Sequence, residues 1–410
     1  MDSKFETRSP PIWRTPAFII GTGGLVLALA LGIRHSMGLY LQPVSLTHDW
    51  GREIFGFAIA LQNLVWGLAQ PVTGAIADRL GAGRVIFAGG ALYALGLAVM
   101  ATTADPVMFN VGVGVLIGLG LSGTGFSVVF GVVARHVPTH RRSLAFGIVG
   151  ACGSFGQFAM LPVGHMLLGA GDWVFAITVL AITMAAMLPL AFVLSGRPAS
   201  TAMGIGPGWR SSLREAMRHR GFLLLVLGFM VCGFHTMFIP THLPAYLSDS
   251  GLGAREGMIA LALIGAFNVV GSYLCGWLGG HFRKKYLLAW IFAIRAVALT
   301  AFVLLPVSAV TVYLMAIIMG LTWLGTVPLT SGLVADIFGP RYVGMLFGIA
   351  FLGHQIGSFL GAWLGGALFD MTGSYSIMWG LSIALALVAA AVHLPINDRP
   401  LGPEPQMARA

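Results

Sequence analysis

Long apolar runs, separated by short polar breaks, occupy almost the whole chain. They fall at about 17–44, 54–77, 84–103, 107–134, 143–168 and 173–195. A second set follows at about 221–247, 256–280, 286–305, 309–335, 342–369 and 374–395. A helix needs roughly 20 apolar residues to cross a hydrocarbon core, and each run supplies about that many. The pattern predicts an all-α membrane protein with twelve transmembrane helices. The longest polar stretch lies between the sixth and seventh runs and carries Arg197, Arg210, Arg214, Arg218 and Arg220. The expected organisation is a six-helix bundle over 1–195, a cytoplasmic linker over 196–220 and a second six-helix bundle over 221–410.

The two sets repeat each other. A shift of 201 residues lays Leu144-Ala-Phe-Gly-Ile-Val-Gly-Ala-Cys-Gly-Ser-Phe-Gly156 on Met345-Leu-Phe-Gly-Ile-Ala-Phe-Leu-Gly-His-Gln-Ile-Gly357. The same shift places Gly32-Ile-Arg-His-Ser-Met37 on Gly233-Phe-His-Thr-Met-Phe238. Paired bundles of this kind are a common transporter plan. Six spans per half give both halves the same orientation.

Composition narrows the function. Of 410 residues, 57% are hydrophobic and 9% charged, against roughly 25% charged in a soluble domain. Twelve spans leave no room for a soluble catalytic head, so an enzyme is not expected. Cys152, Cys232 and Cys275 show no C-x-x-C spacing, and neither His-box clusters nor a phosphate-binding loop is present, so no cofactor is implied. His136 and His140 have H-x-x-x-H spacing, but in a basic loop where a solvated role is expected.

The net charge of +9 does not point to nucleic acid, because the basic residues sort by membrane side. Nineteen of the 23 Lys and Arg fall in the two termini, the linker and the even-to-odd loops; only Arg52 and Arg255 fall in the opposite loops. By the positive-inside rule both termini are cytoplasmic. A multi-pass location in the cell's inner membrane is expected, with the lipid bilayer as partner. Residues 1–15 have no cleavage site behind a short apolar core, so no removable signal peptide is read.

After the second run stands Gly74-Ala-Ile-Ala-Asp-Arg-Leu-Gly-Ala-Gly-Arg84, and after the eighth a decayed copy, Gly276-Trp-Leu-Gly-Gly-His-Phe-Arg-Lys-Lys285. The first resembles the G-x-x-x-D-R-x-G-x-x-R signature of the major facilitator superfamily. That resemblance implies that Asp78, Arg79 and Arg84 serve as a gate and not as substrate ligands. Within the superfamily the chain is most similar to the monocarboxylate transporter and oxalate/formate antiporter branch. Arg34-His-Ser-Met-Gly38, Gly153-Ser-Phe-Gly-Gln157 and His354-Gln-Ile-Gly357 carry this likeness. One departure matters: where monocarboxylate transporters carry an Asp and an Arg in the eighth span, this chain has Asn268 and Ser272.

An ionisable residue within a span is a functional candidate by default. Arg34 sits inside the first run, where its planar guanidinium can hold a carboxylate by two parallel hydrogen bonds. The alternative is a helix-end arginine that snorkels to the surface. Arg295, near the middle of the ninth run, either bonds carbonyls of neighbouring helices or reaches the cavity. No acid is central, so the cavity is electropositive and suits a small organic anion. Histidine then becomes the candidate proton carrier: His354, or His235, the repeat partner of Arg34. His35, Gln355, Asn268, Ser154 and Trp323 complete the candidate substrate site, with Asn63 among further polar residues. The reading is a secondary transporter of a small organic anion, a monocarboxylate, by proton symport or anion exchange. An exporter of drugs or other hydrophobic compounds with the same fold is the alternative.

Overall fold

The computed structural model describes residues 15–137, 142–195, 209–338 and 343–400. Twelve long helical elements follow one another along it. The first six are α1 (Pro16–His48), α2 (Arg52–Leu80), α3 (Ala82–Thr102), α4 (Pro106–Val133), α5 (Arg142–Ala170) and α6 (Trp173–Val193). The other six are α7 (Arg220–Asp249), α8 (Ala254–His281), α9 (Lys284–Leu304), α10 (Ala309–Phe338), α11 (Val343–Thr372) and α12 (Ser376–His393). A shorter helix, Trp209–Arg218, precedes α7. The described residues contain no strand.

Among the described residues, ten helices are long and apolar enough to cross a membrane on their own. The other two long helices, α2 and α5, are each 29 residues long. Their polar residues face the interior: Gln62, Asn63 and Gln157 are all buried. Neighbouring helices hide such groups from lipid, which lets a spanning helix depart from uniform hydrophobicity.

Acidic and hydroxyl residues between spans mark where helices start. Asp105 accepts from the Met108 N–H at 2.9 Å and Asp172 from the Phe175 N–H at 2.7 Å. Ser308 and Thr311 form a reciprocal capping box at the start of α10. Each satisfies donors that a helix N-terminus leaves unpaired.

Packing repeats as the sequence does. α1 lies on α5, α2 on α4 and α3 on α6; correspondingly α7 lies on α11, α8 on α10 and α9 on α12. Two further pairings, α2 with α11 and α5 with α8, join the two sets.

Along these joining helices burial changes from one end to the other. On α8, Ala260, Leu261 and Ile264 are fully buried, while Tyr273 is 79% and Trp277 54% exposed. On α2, Phe55, Ala58 and Asn63 are buried, while Leu68 and Val72 are exposed. On both helices these side chains are buried toward the Arg52 end and exposed toward the opposite, basic end.

Candidate functional site

Arg34 sits 18 residues into α1, about 27 Å along a 33-residue element. The helix continues through a 3-10 turn at Met37–Tyr40 to His48, so Arg34 is interior and not a helix end. Its Nη2 donates to Asn63 Oδ1 on α2 and lies 3.0 Å from Met237 Sδ on α7. The guanidinium carbon stands 4.9 Å from the centre of the Trp66 ring. Asn63 and Trp66, three residues apart on α2, present one face to it.

None of these partners is an anion. The ion pairs among the described residues are Arg52–Asp249, Arg283–Asp398 and Lys284–Asp336. Arg34 Nε has no hydrogen-bond partner, and the side chain is only half-buried. A charge held deep in a spanning helix is thus framed by an amide, a thioether and an indole, with no carboxylate partner among the described residues.

Hydrogen bonds lead from this arginine to α11. Gln355 Nε2 donates to the Asn63 carbonyl at 3.0 Å, and Gln355 Oε1 meets His354 Nδ1 at 3.2 Å. His354 Nε2 lies 3.4 Å from Thr236 Oγ1, one residue before Met237. Phe351 stacks on the His354 ring with 5.7 Å between ring centres. Arg34, Asn63, Gln355 and His354 thus form one connected cluster drawn from α1, α2 and α11.

Arg295 occupies a different setting. α10 breaks between Thr322 and Thr326, which strips carbonyls of their helical donors. The buried Arg295 guanidinium donates to the Thr322 and Trp323 carbonyls, and Nη1 lies 3.7 Å from Cys232 Sγ. Asn268 serves the other polarity at the same break: its Oδ1 accepts from the Leu324 N–H at 3.1 Å and from Ser272 Oγ at 3.1 Å. Asn268 Oδ1 and the Trp323 carbonyl thus both serve the α10 break, while Asn268 Nδ2 is buried without a hydrogen-bond partner.

The remaining expected residues are scattered. His235 is fully buried and its Nε2 lies 3.0 Å from the Ser382 carbonyl of α12, turned away from Arg34. Although it is Arg34's partner in the repeat, two residues of helical rotation, about 200°, separate the side of α7 that meets Arg34, through Met237, from the side that holds His235. His35 is buried, with Nε2 unpartnered. Ser154 is half-buried on α5. Arg84 is exposed at the start of α3, whereas the side chains of Asp78 and Arg79 lie outside the described residues.

The face bearing Arg52 is shut by contacts between residues far apart in the chain. Arg52 bonds Asp249 through both terminal nitrogens, at 2.6 and 2.8 Å, and Tyr375 Oη at 3.1 Å. Asp370 accepts from the Arg52 and Glu53 backbone N–H groups at 2.9 and 2.7 Å, so a carboxylate of α11 caps α2. Glu53 in turn accepts from Trp363 Nε1 at 2.9 Å. Glycine makes the approach possible: a Cβ on Gly38 would lie 1.8 Å from the Pro240 carbonyl oxygen, and one on Gly56 2.6 Å from that of Ala362.

At the basic face the described ion pairs stay within 221–400. There the Arg283 guanidinium, hydrogen-bonded to Asp398, holds that carboxyl below its usual range. No ion pair among the described residues ties the two helix sets together on this side.

Two sequence-related sets of membrane-spanning helices, joined at the Arg52 face and enclosing a half-buried arginine, have the architecture of a membrane carrier. Residues 17–334 match the Major Facilitator Superfamily, and the chain belongs to that family of transporters. Among its relatives is monocarboxylate transporter 11 of Homo sapiens, 28% identical over 382 residues that cover 89% of this chain and 79% of the relative. The oxalate:formate antiporter of Oxalobacter formigenes is 23% identical, over 92% of this chain and 91% of its own. YcxA of Bacillus subtilis (strain 168), an uncharacterized MFS-type transporter by name, is 26% identical over 89% and 91% of the two chains. A solved bacterial homolog of the human lysosomal transporter Spinster, inward-facing and occupied, shares the fold, with a TM-score of 0.72 at 15% identity over 94% of this chain and 95% of that one.

Proposed function

We propose that this transporter carries a small organic anion, a monocarboxylate, across the inner membrane by alternating access, coupled to proton symport or to anion exchange. The observation that carries the reading is Arg34: a half-buried guanidinium at mid-helix without a carboxylate partner among the described residues. Relatives named as a monocarboxylate transporter and an oxalate:formate antiporter support the substrate class. The moving units are taken as residues 1–195 and 221–410, joined by 196–220. Their closed seam at the Arg52 face makes this the state open to the cytoplasm, given the positive-inside orientation. Asp78, Arg79 and Arg84 are assigned to the cytoplasmic gate of the opposite state.

His354 is the proposed proton carrier, since it is the histidine in hydrogen-bond connection with the Arg34 cluster through Gln355. His235 faces α12 instead, which argues against a coupling role for it. Export of hydrophobic compounds fits less well, because it leaves an interior cation with nothing to bind.

Uptake of labelled monocarboxylates into proteoliposomes tests the reading. Wild type is expected to show saturable uptake that Arg34→Ala abolishes while still reconstituting as folded protein. Full uptake by Arg34→Ala would remove the basis of the assignment.

A further inference from the structure

Met237 is an apolar residue at a polar site. Its Sδ stands 3.0 Å from Arg34 Nη2 and 2.9 Å from Asn63 Nδ2, so it receives both N–H donors that face it. It is 5% exposed and comes from α7, whereas Arg34 and Asn63 come from α1 and α2. The contact therefore crosses between the two helix sets. It forms where α1 and α7 come closest, since Gly38 meets the Pro240 carbonyl one turn further along.

A thioether is a weak acceptor with no charge. It orients the guanidinium without neutralising it. Its side chain has three rotatable bonds and repacks at small cost. A carboxylate arriving at Arg34 brings charge-assisted hydrogen bonds, roughly twice as strong as neutral ones. The incoming anion thus outcompetes the sulfur, and the sulfur can leave. Leucine of similar volume would fill the space equally well but accept nothing, so packing alone does not explain the sulfur's placement between two donors.

We propose that Met237 is a positioning residue that stands in for the substrate carboxylate on Arg34, and that its acceptor strength sets the affinity for the anion. This rests on the reading of Arg34 as the anion site. Because the sulfur and the guanidinium belong to different helix sets, anion arrival exchanges a contact between the sets for a contact with the ligand. Binding is thereby linked to their relative position.

The test is a graded series at one position: Met237→Leu, wild type, Met237→Gln and Met237→Glu, each purified as the full chain. Dissociation constants are measured by calorimetry for sodium formate, acetate, propionate and benzoate. Removing the competing acceptor is expected to tighten binding in Met237→Leu by about three- to tenfold, the range of one neutral hydrogen bond. The Gln variant is expected to weaken binding by a similar factor. Met237→Glu should abolish it, and should raise the melting temperature of the ligand-free protein only when Arg34 is present.

A purely structural Met237 would make Leu and Gln weaken binding together, and that result overturns the proposal. So does an Arg34-dependent affinity that is unchanged across the series, which would leave the anion site itself standing. If wild type binds none of the four anions, or Arg34→Ala binds them as well as wild type, the anion site fails and this inference with it.

Discussion

Arg34 and Arg295 are the two arginines buried in mid-span, and their surroundings are opposite. Arg295 is fully enclosed, and its donors are spent on the Thr322 and Trp323 carbonyls freed by the α10 break. Arg34 touches an amide oxygen and a sulfur, keeps Nε unpartnered and is half-buried. A buried cation is tolerated when its donors are satisfied and the carbonyls it serves would otherwise be orphaned. That describes Arg295. The same physics leaves Arg34 with a donor to spare, and in the proposed function the transported anion takes it. Position within a span thus marks both residues as unusual, but only the partner inventory separates scaffold from site.

The contrast predicts different failures. Arg34→Ala is expected to cost the most in function, about 2–5 kcal/mol of anion affinity, with little change in melting temperature. Arg34→Lys should recover part of that loss, because it keeps the charge but not the planar fork. Gly38→Val comes next. Its Cβ has no room beside the Pro240 carbonyl, so the Arg52 face should stay open and a cysteine placed there should label faster. Uptake should fall severely while ligand-free folding is retained.

Arg295→Leu should show the reverse of Arg34→Ala. Each buried carbonyl left without a donor costs about 1–3 kcal/mol, read as a lower melting temperature with the anion affinity of the surviving folded protein nearly unchanged. His354→Gln should leave binding within a few-fold while flattening the dependence of uptake on pH, if His354 carries the proton. The smallest effect belongs to His235→Gln, which keeps a donor toward the Ser382 carbonyl and should change uptake less than twofold. A loss there comparable to Arg34→Ala would break the distinction between residues that face the cluster and residues that face α12.

Much of the architecture is legible in the sequence because lipid imposes a simple rule on each span. The run expected at 221–247 is the helix Arg220–Asp249, and that at 256–280 is Ala254–His281. The repeat of 201 residues reappears as matched packing, α1 on α5 and α7 on α11. Arg34, His354 and Gln355 are legible for the same reason: polar groups at mid-span stand out against an apolar background.

What stays hidden is rotation and pairing. His235 and Met237 are two residues apart on one helix, yet the histidine that drew attention faces α12 while the methionine, with no polar signal, reaches Arg34. Trp66 was silent for a similar reason, being one apolar residue among many until its ring met the guanidinium. The helix break within α10, which Asn268 and Arg295 serve, leaves no clear mark in composition. The Arg52 seam leaves no local pattern, since Asp249, Asp370 and Tyr375 lie about 200 to 320 residues away in the chain.

The most direct test of the account is a thermal-shift titration of purified wild type, Arg34→Ala and Arg295→Leu with a series of small monocarboxylates. A ligand that binds only the folded state raises the melting temperature with its concentration relative to Kd. The account predicts concentration-dependent stabilisation of wild type and of Arg295→Leu, the latter from a lower starting temperature, and none of Arg34→Ala. Stabilisation of Arg34→Ala to the same extent as wild type would contradict it.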